Sequence, residues 1–196
     1  MTRLTAFRVM ALALVALTLN MATPRESGAD GFISPLIGYN FGGDSSCPAI
    51  TGCEDKRIAW GVAFGAMNDV LGIEEEVAYT KNFFGEAPGL SSSVLTVMTN
   101  VMIVPALGPI RPYVLAGVGL IKTNVELSPS SLLTTSNNSF GWDAGGGLMV
   151  LFSDHVGVRG DVRYFRAFQD QTLLGISLGD TKLGFGRVAG ALLVTF

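Results

Sequence analysis

Residues 156–165 read VGVRGDVRYF. In an extended chain successive side chains point to opposite faces, so Val156, Val158, Gly160, Val162 and Tyr164 fall on one side and Arg159, Asp161, Arg163 and Phe165 on the other. Three alternating charges opposite an apolar row describe a strand between two solvents. One face meets water or other charges, and the other meets something apolar. The last segment repeats the design: Val188, Gly190, Leu192, Val194 and Phe196 share one face, while Phe185, Arg187, Ala189, Ala191, Leu193 and Thr195 share the other.

The same period runs back to Gly31, with turn residues between the runs. It predicts eight strands, at about residues 32–42, 57–67, 73–84, 93–104, 111–126, 140–152, 155–168 and 183–196. In the second, Trp60, Val62, Phe64 and Ala66 oppose Ala59, Gly61, Ala63 and Gly65. In the sixth, Trp142, Ala144, Gly146, Leu148, Val150 and Phe152 oppose Gly141 and Asp143. Connections after the odd-numbered strands are expected to be long and those after the even-numbered ones short, the asymmetry of a transmembrane barrel with extracellular loops and periplasmic turns. Strands of about ten residues can cross a bilayer at a tilt, and only closure satisfies every backbone group in lipid. The expected fold is therefore all-β: an eight-stranded antiparallel up-and-down transmembrane β-barrel, its glycines turned toward a narrow bore. Tyr39, Phe41, Phe83, Phe84, Trp142 and Tyr164 are expected to form an aromatic belt on the long-loop side, and Tyr113, Phe152 and Phe196 one on the short-turn side.

Composition agrees with that reading. The 196 residues include 25 glycines and 15% charged residues, against about 25% charged in an average soluble domain. A soluble lipocalin-like barrel would turn Arg159, Asp161 and Arg163 outward, and the chain has too few charges to cover such a surface. At the N-terminus Arg3 and Arg8 precede an apolar run over 9–19, and Ser27-Gly28-Ala29 offers small residues for cleavage before Asp30. Residues 1–29 are thus expected to be a secretory signal peptide and 30–196 the barrel domain. Removing the leader takes away three Arg and one Glu, leaving a net charge of −5 on 167 residues, which offers no electrostatic case for nucleic acid. In an oxidising compartment Cys47 and Cys53, in a loop rich in Asp, Ser, Pro and Gly, are expected to form a disulfide. Metal binding would want more Cys or His than these and the single His155, so neither a metal site nor a cofactor is expected.

Several stretches carry a family resemblance: GVRGDVRYFRAF at 157–168, DAGGGLMVLFSDHVG at 143–157, RPYVLAGVGL at 111–120 and the terminal VAGALLVTF. Over residues 31–196 the chain resembles the small outer-membrane β-barrel proteins of Gram-negative bacteria, the opacity-porin and OmpA-like group. The resemblance implies residence in the cell outer membrane, contact with its lipid and lipopolysaccharide, and handling by the barrel-assembly machinery, for which Phe196, Val194 and Leu192 match the assembly signal. Members serve as structural anchors, adhesins, surface antigens or narrow pores. The OmpA pattern continues into a peptidoglycan-binding domain that is not expected here, and with it cell-wall anchoring is not expected.

The residues bear on three functions. Lipid A modification would need a histidine with a hydroxyl nucleophile and an orienting acid. His155 lies in a short turn beside Ser153 and Asp154, and Gly157 stands where a His-x-Ser arrangement needs serine. A solute channel would be lined by Glu74, Glu76, Asn100, Asp143, Arg159, Asp161, Arg163 and Arg187; four acids against three arginines fit a paired luminal network better than a pore lining. Binding through the long loops would use the Cys47 and Cys53 loop, the polar stretch 128–138, or the apolar loop containing Leu173, Leu174, Ile176 and Leu178. The expectation is a non-enzymatic barrel with a structural or surface-interaction role and a possible surface ligand at its loops. A narrow porin-like channel is the alternative and a lipid A-modifying enzyme the third reading. Glu75 breaks the pattern, because the alternation that turns Val77 and Tyr79 to lipid turns it there too.

Overall fold

The computed structural model describes residues 29–43, 57–68, 70–84, 90–105, 107–127, 133–173 and 176–196. The expected signal peptide and the Cys47 and Cys53 pair lie outside the described residues. Eight strands, β1 (Asp30–Phe41), β2 (Ile58–Met67), β3 (Leu71–Lys81), β4 (Leu90–Ile103), β5 (Ile110–Leu127), β6 (Leu133–Leu151), β7 (Val156–Leu173) and β8 (Ile176–Thr195), follow one another around a closed antiparallel barrel. β1 closes on β8 in a register that runs from Phe32↔Thr195 to Phe41↔Gly186. That ladder skips Ser34 and Pro35, where proline has no N–H to give, and the Ser34 hydroxyl donates to the Leu192 carbonyl at 2.7 Å instead.

Short turns hold the strands in register at one rim. Asn68 Oδ1 accepts the N–H groups of Val70 and Leu71 at 2.9 and 2.7 Å, and Ser153 Oγ accepts those of His155 and Val156 at 3.4 and 3.2 Å. Gly108, at φ 72°, turns the chain from β4 into β5.

Two expectations about the strands need correcting. β6 begins at Leu133, so much of the polar stretch read as a loop is strand, paired as Thr123↔Asn137 and Val125↔Thr135. β7 and β8 likewise run on until Leu173 meets Ile176, across a register irregularity between Arg166 and Thr172, so the long apolar loop read there is mostly a hairpin. Beyond a bilayer both faces of a hairpin are wet, and the polar residues that mark loops elsewhere fit a ladder there. β5 to β8 therefore span 18 to 20 residues and β1 to β4 only 10 to 14.

The outward face is apolar: Ile37, Trp60, Val101, Val114, Val118, Val162, Val188 and Leu192 are exposed. Two of the proposed belt residues are not on it. Tyr113 and Phe83 are buried in the bore. Glu75 does stand on the outer face, where Thr99 on the neighbouring strand donates to its carboxylate at 2.9 Å.

Candidate functional site: a charged layer across the bore

The inward residues of β7 carry Arg159, Asp161 and Arg163 into the bore, where all three are buried. β3 brings Glu74 and Glu76 from across the barrel, β6 brings Asp143 and β8 brings Arg187. Arg163 is the hub: its Nη1 lies 3.0 Å from both Glu74 and Glu76 and 3.8 Å from Asp143, and its Nε donates to Asp161 at 3.0 Å. Arg159 pairs with Glu74 and reaches Asp161 at 3.0 Å. Arg187 donates to Glu76 at 2.9 Å. All seven acidic and basic residues singled out in the sequence thus meet in one layer, with Asp143 at its edge.

Neutral partners complete the layer. Tyr113 donates to Asp161 at 2.6 Å and accepts from Arg159 Nε at 3.1 Å, with the Arg159 guanidinium 5.0 Å from its ring centre. Arg187 also donates to Asn40 at 3.0 Å and to Thr96 at 3.2 Å, and Asn40 donates on to Thr80 at 2.7 Å. Asn100 donates to Glu74 at 3.3 Å. Sequence reasoning named Asn100 and missed Tyr113, Asn40, Thr96 and Thr80. The parity of β5 held the signal for Tyr113, since it shares a face with the inward Gly117 and Gly119.

The room for these side chains comes from glycine. A Cβ on Gly147 would stand 2.7 Å from the Tyr113 hydroxyl and from Asp161 Cβ, and one on Gly145 would stand 2.9 Å from Arg163 Cγ. Gly65, Gly145 and Gly147, the cross-strand neighbours of Glu74, Arg163 and Asp161, leave part of the narrow bore free for these side chains.

Apolar residues close both ends. Toward the short turns Phe32, Met67, Met102, Val104, Tyr113, Leu115, Met149 and Leu193 form one buried cluster. Toward the long loops Phe83, Val94, Met98, Ile121, Phe165, Ala167, Leu183 and Phe185 form another. Phe165 and Phe185 stack there at 4.9 Å, and the Arg187 guanidinium lies 4.6 Å from the Phe165 ring centre. The layer is therefore sealed from both rims, in a setting where ion pairs are strong and unpaired charges expensive. The Ser153 hydroxyl beside His155 is used as a turn cap.

The family model described as "Outer membrane protein beta-barrel domain" matches residues 9–187. Among solved structures, Neisserial surface protein A is similar with a TM-score of 0.66 at 16% identity, over 87% of this chain and 100% of that one. The outer membrane protein OprG from Pseudomonas aeruginosa gives 0.55 at 15% identity, over 86% of this chain and 96% of that one. Ail, the attachment invasion locus protein of Yersinia pestis, gives 0.54 at 13% identity, over 88% of this chain and 100% of that one. At such identities the likeness speaks for the fold. No curated protein sequence matches the chain.

Proposed function

Because the chain belongs to the outer-membrane protein β-barrel family, we propose that it is a closed, non-enzymatic barrel whose role is structural or is exercised at the cell surface by its extracellular loops. The observation that carries this reading is the filling of the bore: a seven-residue ionic layer between two apolar clusters. A solute path would have to break salt bridges and displace buried rings in succession. A bore so filled makes a rigid scaffold, and loops carried on a rigid scaffold are where binding functions reside.

Residues 1–29 act as the cleaved signal peptide in this reading, and the mature chain starts near Asp30. Phe196, with Val194 and Leu192 outward on the same face, is the segment presented to the barrel-assembly machinery. Its placement suits that use: Phe196 exchanges backbone hydrogen bonds of 2.9 Å with Gly31 while its ring stays on the outer surface. Cys47 and Cys53 form a bridge within the first long loop, and lipid and lipopolysaccharide surround the apolar belt.

The deciding experiment is conductance of the refolded protein in planar bilayers. The expected result is no steady current of porin magnitude. A stable, ion-selective conductance would replace this reading with the channel. Lipid A mass spectra with and without expression are expected to be identical, and a shifted acyl pattern would point to an enzyme.

A further inference from the structure

The charges of the buried layer do not cancel. Glu74, Glu76, Asp143 and Asp161 bring four negative charges against three positive ones from Arg159, Arg163 and Arg187, and all seven residues are buried. Arg57, the other buried base described, is turned to the Tyr39 ring, 5.5 Å from its centre. The hydrogen bonds single out the acid in excess. Glu74 accepts from Arg159 and Asn100, Glu76 from Arg187, and Asp161 from Tyr113, Arg159 and Arg163. Among the described residues none donates to either oxygen of Asp143. Arg163 Nη1 is 3.8 Å from it and already 3.0 Å from both Glu74 and Glu76. An acceptor nearby is unused as well. Asn100 and Asp143 flank Gly117, paired with it from β4 and β6. Asn100 Oδ1 leans over that glycine, where a Cβ would collide with it, and accepts no hydrogen bond from the described residues. A buried carboxylate without donors or a counter-charge of its own is costly enough that such a group is neutralised instead.

We propose that the layer binds one proton, carried by Asp143 as a neutral carboxylic acid at neutral pH. Four acids, three guanidiniums and one proton leave the interior uncharged. The Asp143 O–H then has a hydrogen to give, and Asn100 Oδ1, on the other side of Gly117, is an acceptor without a donor. The charged groups around Asp143 are Glu74 and Glu76 from β3, Arg159, Asp161 and Arg163 from β7 and Arg187 from β8. β4 and β5 face it with Asn100, Gly117 and, further along, Tyr113, and the described residues of β1 and β2 bring it no acid or base. A sodium ion in the same place would stand close to the Arg163 guanidinium, a like charge in a dry setting. A proton becomes part of a neutral group. The inference rests on the sealed bore of the preceding reading.

The test is an infrared difference spectrum at neutral pH between the wild-type chain and Asp143→Asn, both refolded into a detergent that has no ester carbonyl. The expected result is the carbonyl band of a protonated carboxylic acid in the wild type and its loss in the variant. Carboxylate bands in its place, or an acid band that survives the substitution, would overturn the proposal, and a wild-type spectrum without an acid band overturns it with no variant at all. Urea unfolding supplies a second reading. Unfolded aspartate is ionised above about pH 5, so folding of the wild type takes up a proton that folding of the variant does not. Between about pH 5.5 and 7 the unfolding constant of the wild type should therefore rise about ten-fold more per pH unit than that of Asp143→Asn. Equal slopes, or a wild-type midpoint that depends on sodium, would overturn the proposal. A barrel that shows the acid band and conducts would overturn the closed reading alone. One that stays closed without the band would overturn the proton alone.

Discussion

At the long-loop end of the bore Phe165 and Phe185 stack over Arg187, and at the short-turn end Met67, Met102 and Met149 pack with Phe32. Between them lie four carboxylates and three guanidiniums. The two ends are an ordinary hydrophobic core, and the middle would be unstable in such a core without its pairs. The parts depend on one another. Apolar ends exclude water and so strengthen the pairs, and the same exclusion makes each pair hard to do without.

The largest effect tests the middle. Arg163→Ala removes the group shared by Glu74, Glu76, Asp143 and Asp161, and should lower stability by about 3–5 kcal/mol, the usual result of leaving buried charge uncompensated. Urea unfolding in bilayers, read by the mobility difference between boiled and unboiled samples, measures it. A loss below 1 kcal/mol, on the order of a surface substitution, would mean that the layer is hydrated and that the contrast with the ends is false. Asp161→Ala comes next, at about 3 kcal/mol, because Tyr113, Arg159 and Arg163 all lose the same acceptor. At the short-turn end Met102→Ala should cost about 2–3 kcal/mol, the transfer and cavity terms of a buried side chain. Its effect should be independent of salt, whereas that of Arg163→Ala should change with salt once water enters. The smallest effect belongs outside: Val162→Ala, next to Asp161 in the chain but facing lipid, should cost about 1–2 kcal/mol, since lipid fills the space left behind. If Val162→Ala rivals Asp161→Ala in the same unfolding series, the two faces of β7 do not differ as described.

The sequence was legible wherever one face of a strand is polar. On β7 and β8 alternate arginines mark the inside, and on β3 Glu74 and Glu76 do so despite Glu75 between them. It was mute where both faces are apolar. On β5 the inward Tyr113 and Leu115 alternate with Val114 and Ala116, and no periodicity separates the two sets. From the sequence alone Tyr113 therefore reads as a belt residue. The apolar clusters were hidden for the same reason: methionine and phenylalanine belong equally well in lipid and in a sealed bore. The strand end at 133–138 is illegible in the sequence because Thr, Ser and Asn are common loop residues, whereas here the ladder continues through them. Which carboxylate meets which guanidinium depends on the stagger of strands around the barrel, a global quantity that no local pattern carries.

The layer also bears on the order of events when the chain assembles. Glu74 and Glu76 enter on β3, and their partners Arg159 and Arg187 stand 85 and 111 positions further along. Contacts of such sequence separation close late, because the loop entropy must be met before they reward it. Until β7 and β8 arrive, the half-built wall presents its carboxylates to water and has every electrostatic reason to stay open. The strand that brings Arg187 is also the one that seals against β1, so neutralising the layer and drying the bore coincide with closure. A sheet that curled shut without its last strands would trap unmatched acids in its interior. The pairs of the ionic layer are thereby complete only in the full eight-stranded ring.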